Sequence, residues 1–62
     1  MQDKKAKFFK IYANLPAGTR EEIVAVIDND PYSWKAAKLE IEKDTPIGNK
    51  ILDVLVNLGI LI

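Results

Sequence analysis

The side chains able to do chemistry in this sequence are few, and their neighbours give most of them structural work. The candidate nucleophiles are Ser33, Thr19 and Thr45. Each stands just before a run that suits a helix, where a hydroxyl accepts a hydrogen bond from an orphan backbone N–H. The chain has no histidine, the side chain most often used as a general base near neutral pH. Two carboxylate pairs remain, Glu21/Glu22 and Asp28/Asp30. The first falls in what reads as a helix first turn, where acids suit the macrodipole. The second belongs to Asp28-Asn29-Asp30-Pro31-Tyr32, a turn by composition. As a calcium loop that stretch fails: Asp28 and Asp30 fit the first and third ligand positions, but Tyr32, Ser33 and Leu39 stand at the fifth, sixth and twelfth. Cysteine is absent as well, so no thiolate or imidazole metal site is available. Gly18, Gly48 and Gly59 are scattered singly and build no phosphate cradle. The residues therefore point to a non-enzymatic domain with no catalytic residues, no cofactor and no metal.

Two sets of residues could instead bind something. Lys4, Lys5, Lys7 and Lys10 concentrate charge beside Phe8, Phe9 and Tyr12. That pattern suits phosphate contacts with aromatic stacking, as a small nucleic-acid-associated or antitoxin-like regulator would need. A solvated lysine face over a core-facing aromatic stripe is the plainer reading. The second set is apolar. Leu52, Val56, Ile60 and Ile62 exceed what one helix face needs, and Trp34, like Tyr32 and Phe9, is a residue type that anchors interfaces. This favours protein–protein association, with a second copy of the chain as the first partner to expect.

Composition narrows the choice. Lys plus Arg and Asp plus Glu number nine each, so formal net charge is zero. A neutral chain has no strong overall attraction to nucleic acid or to anionic membrane, and little repulsion against its own copy. The apolar share is 48%, ordinary for a folded domain. No stretch reaches the roughly 18 apolar residues that a membrane span needs. The lysines around Phe8 and Phe9 break any signal-peptide core. These features, with the missing cysteines, suggest the cytoplasm. Sixty-two residues make a single domain, 1–62, that buries only about 60% of its unfolded surface.

The elements that must position these residues follow from periodicity and caps. Residues 3–14 read as a helix: Asp3 is a cap, and Phe8, Ile11, Tyr12 and Leu15 recur on one stripe. Thr19-Arg20-Glu21-Glu22 has the capping-box pattern. Yet the segment 22–28 that follows is β-branched, which favours a buried strand over a helix. A lone strand leaves backbone groups unpaired. It is therefore expected to pair across a dimer axis with its copy, or with residues 38–42 read as a hairpin strand. For 33–43 the alanines favour a helix instead, capped by Ser33. Thr45 caps a last helix over 46–58, with Pro46 at its first position and Gly59 as its stop. Its stripe is Ile47, Ile51, Val54, Leu55 and Leu58, with Leu52 and Val56 away from it. The helices 33–43 and 46–58 could be drawn as a helix-turn-helix, but the second is too apolar to read bases. The expected fold is small α+β, mainly helical, with three helices and one short strand.

Overall fold

A computed structural model describes residues 3–61. Helix α1 (Lys4–Ala13) is followed by a 3₁₀ turn at Thr19–Glu21 and a hairpin of β1 (Ile23–Ile27) and β2 (Asp30–Ser33). Helices α2 (Trp34–Glu42) and α3 (Pro46–Asn57) are the remaining elements among the described residues. The fold is thus small, α+β and mainly helical. Among the described residues no helix is long and apolar enough to cross a membrane.

Side-chain caps start all three helices. Asp3, Ser33 and Thr45 accept hydrogen bonds from the N–H groups of Ala6, Ala36 and Gly48, at 3.0, 3.1 and 3.0 Å. Thr45 does more. Its hydroxyl donates to Glu40 Oε1 at 2.7 Å, which ties the start of α3 to the last turn of α2. Thr19 is not a cap: it lies inside the 3₁₀ turn, and no side-chain cap bond forms there. The turn holds only three residues, too short for the reciprocal bonds of a capping box.

Helices α2 and α3 end alike. After α2, Asp44 N–H donates to Ile41 O and Thr45 N–H to Glu40 O. After α3, Gly59 N–H donates to Val56 O and Ile60 N–H to Leu55 O. Both are Schellman motifs, and both put the turning residue in the left-handed region, Asp44 at φ 56° and Gly59 at φ 80°. Glycine takes that conformation without the steric cost a Cβ brings. Asp44→Gly is expected to raise unfolding stability by about 0.5–1 kcal/mol, and Gly59→Ala to lower it by about 1 kcal/mol or more. Urea unfolding followed by circular dichroism measures both. The exposed Lys5–Asp44 ion pair lost in the first variant is worth little.

The strand finds a partner inside the chain. β1 pairs antiparallel with β2, through Ile27↔Asp30, Val26↔Pro31, Ala25↔Tyr32 and Ile23↔Ser33. Residues 38–42 lie in α2 and are not that partner. The turn is shorter than composition suggested. Only Asp28 and Asn29 make it, at φ 52° and 72°, the two positive values of a type I′ hairpin turn. Pro31 sits in β2 rather than in the turn. It stands opposite Val26, one step from the pair that closes the turn, so its missing N–H faces the free edge of the sheet.

A bulge between Ile23 and Ala25 leaves Val24 without its own partner. Ile23 and Ala25 consequently face opposite sides, since their partners Ser33 and Tyr32 are adjacent. Ala25 and Ile27 point into the core, whereas Ile23 joins Val26 and Pro31 on the outer face.

The core is built from Phe8, Ala25, Ile27, Ala37, Ile41, Ile51, Leu52, Leu55 and Leu61. Its helical face differs from the expected stripe. Leu52 is 7% exposed and belongs to the core, while Leu58 is 63% exposed. The buried face of α3 is centred on Gly48, Ile51, Leu52 and Leu55. Gly48 explains the rotation: a Cβ there would lie 2.6 Å from the Glu40 carbonyl oxygen, so α2 crosses α3 at that point. Leu61 is buried, so the chain after Gly59 does fold back. Accessible surface totals 4084 Å², close to the roughly 4,000 Å² scaling predicts for a folded monomer of this mass. Any case for association must therefore rest on particular exposed side chains, not on a shortage of interior.

Candidate functional site

The two sets of binding candidates meet in one place. A cleft of about 300 Å³ is lined by Lys7, Lys10, Ile11 and Ile60. Two of these are lysines of the N-terminal cluster, Ile60 is one of the apolar candidates, and Ile11 belongs to the apolar stripe of α1. α1 supplies three of the four. Gly59 supplies the turn that brings Ile60 back toward α1, leaving it 36% exposed.

The lysine cluster does not form one face. With about 100° between successive residues, Lys4 and Lys5 straddle the buried Phe8 direction at about 40° and 60° on opposite sides, and Lys7 and Lys10 continue the Lys4 flank at about 100° and 160°. Each of the first two finds a carboxylate. Lys4 Nζ lies 2.7 Å from Asp53 of α3, and Lys5 Nζ lies 2.5 Å from Asp44 of the α2–α3 turn. Among the described residues Lys7 and Lys10 pair with no carboxylate. The aromatics are spoken for as well. Phe8 is fully buried and stacks on Trp34 at 5.7 Å, with Phe9 edge-on at 5.7 Å. Tyr12 stacks on Phe8 at 6.1 Å and carries the Arg20 guanidinium over its ring at 4.5 Å. A base would have to displace one of these contacts to stack.

The remaining apolar candidates separate. Leu52 is core, and Val56 and Trp34 are half-buried and pack against it. Ile62 lies outside the described residues. What residue patterns missed is the outer face of the hairpin, where Ile23 is 57% and Val26 60% exposed beside exposed Pro31. Periodicity cannot reveal this, because the bulge that turns Ile23 outward depends on which strand it pairs with. Glu21 and Glu22 are exposed at the head of that face, and neither is in an ion pair among the described residues. Arg20 was missed too. Its guanidinium donates to Tyr12 O at 3.1 Å, a second bond on a carbonyl that also accepts from Leu15 N–H at the end of α1.

Of the three hydroxyls that could serve as nucleophiles, Ser33 and Thr45 cap helices, while Thr19 makes no cap bond. Asp28 pairs with Lys50 of α3 at 3.1 Å. Comparisons with protein-family models, with curated proteins and with solved structures return no match for this chain.

Proposed function

We propose that this chain is a non-enzymatic, cytoplasmic association module that works through protein contacts, with a second copy of itself as partner. The observation that carries this reading is the outer face of the hairpin. Helices α2 and α3 pack against β1, and its core-facing residues are Ala25 and Ile27. The other side presents Ile23, Val26 and Pro31 to solvent. A scattered surface leucine needs no explanation, but adjoining apolar residues on one sheet face are a recurrent mark of contact surfaces. A two-stranded sheet is also marginal by itself and gains from cover.

Sedimentation across a concentration series tests the reading. The expected result is a mass that rises from the 7.0 kDa monomer toward twice that value. Val26→Lys should weaken the rise while leaving the melting temperature nearly unchanged, because Val26 is outside the core. A mass that stays at the monomer value up to about millimolar concentration would reject self-association.

A further inference from the structure

The cleft and the head of the hairpin are complementary in both charge and polarity. The cleft has two lysines, Lys7 and Lys10, beside apolar Ile11 and Ile60. The hairpin head has two carboxylates, Glu21 and Glu22, beside exposed Ile23. Within one copy these groups do not meet: none of the four charges is in an ion pair among the described residues. Four other lysines behave differently. Lys4, Lys5, Lys38 and Lys50 all find their acids inside the chain. Lys35 and Lys43 also lack carboxylates, but neither lines the cleft.

Resting on the association reading above, we propose that the Lys7/Lys10/Ile11/Ile60 cleft of one copy receives the Glu21-Glu22-Ile23 corner of a second copy. The apolar side chain enters the cleft, and the carboxylates meet the lysines at its rim. A twofold axis makes the contact reciprocal, so each copy gives one cleft and one corner and the assembly closes as a dimer. Pairing β1 directly with its own copy is the less favourable route to the same mass. Centred on Ala25, it would set Glu22 against Asp28 of the other copy, and like charges opposed across strands destabilise.

A charge swap tests this contact. Two double variants are made in the full chain, Lys7→Glu with Lys10→Glu, and Glu21→Lys with Glu22→Lys. Circular dichroism first checks that each folds. Each variant alone should self-associate at least about tenfold more weakly than the unaltered chain, because like charges then face each other. An equimolar mixture should recover the dimer mass, since the two reversed surfaces are again complementary. The milder Lys7→Gln, Lys10→Gln pair should weaken association by a smaller factor and lessen its salt dependence. If the unaltered chain dimerises but the reversals leave its affinity unchanged, or the mixture fails to recover the dimer, the cleft is not the contact while the association reading stands. An unaltered chain that stays monomeric defeats both.

Discussion

Gly48→Ala is expected to lower the stability of this domain by about 1–2 kcal/mol, although alanine is the better helix former. In an open helix the exchange would gain about 1 kcal/mol. Here the added Cβ would meet the Glu40 carbonyl oxygen at 2.6 Å, its carbon at 2.8 Å and the Ile41 Cα at 3.0 Å. All three are backbone atoms of α2, so no rotamer change relieves the clash. The helices must separate, and overpacking of this kind costs about 1–3 kcal/mol or somewhat more before the propensity gain is counted. Separation also strains the cap, because Gly48 N–H donates to Thr45 Oγ1 and Thr45 in turn donates to Glu40. Gly18→Ala is the control. Gly18 has an ordinary negative φ, and nothing lies within 4 Å of a Cβ built there. It should melt at or slightly above the original temperature. Equal melting of the Gly48 variant and the control would show that α2 and α3 do not approach at Gly48 as closely as described.

Gly48 also shows where reading residues in order reaches its limit. The features legible in the sequence are those decided within a few residues of chain. Asp3, Ser33 and Thr45 announce their helices through bonds to N–H groups three positions on. Gly59 announces an end because left-handed backbone excludes most other residues. What escaped depends on contacts between elements. The apolar pattern of α3 allows a stripe through Ile47, Val54 and Leu58 as readily as one through Leu52. The crossing at Gly48 chooses between them, and a glycine adds no hydrophobic signal of its own. Pro31 reads as a turn residue until Val26 is known to stand opposite it. The lysine cluster looks continuous as a string, but once α1 docks Phe8 separates Lys5 from the other three, and Lys4 and Lys5 are taken by carboxylates. The cleft was legible only as two unrelated sets, since joining Lys7 and Lys10 to Ile60 takes the fold-back after α3.

The largest single loss should come from Phe8→Ala. Phe8 has no exposed surface and touches three other aromatic rings, those of Phe9, Tyr12 and Trp34. Truncating a buried phenylalanine costs about 3–5 kcal/mol, against a total of roughly 3–9 kcal/mol for a chain this size. Phe8 is the only residue of α1 that is fully buried. The rest of the helix is held by half-buried flanks and by exposed ion pairs from Lys4 and Lys5 worth little. Two outcomes are then physically distinct. Either the whole domain loses its cooperative melt, or α1 detaches while the hairpin, α2 and α3 stay folded. The first is expected, because the Phe8 ring also supports Trp34 at the start of α2, and its removal opens a cavity on both sides. Hydrogen exchange separates the cases: global loss exposes the α3 amides together with those of α1, whereas detachment leaves Ile51 and Leu55 protected. In either case Lys7, Lys10 and Ile11 lose the helix that aligns them, so self-association should disappear with the fold of α1. A Phe8→Ala chain that melts within about 1 kcal/mol of the original would mean that α1 is anchored by something other than this ring.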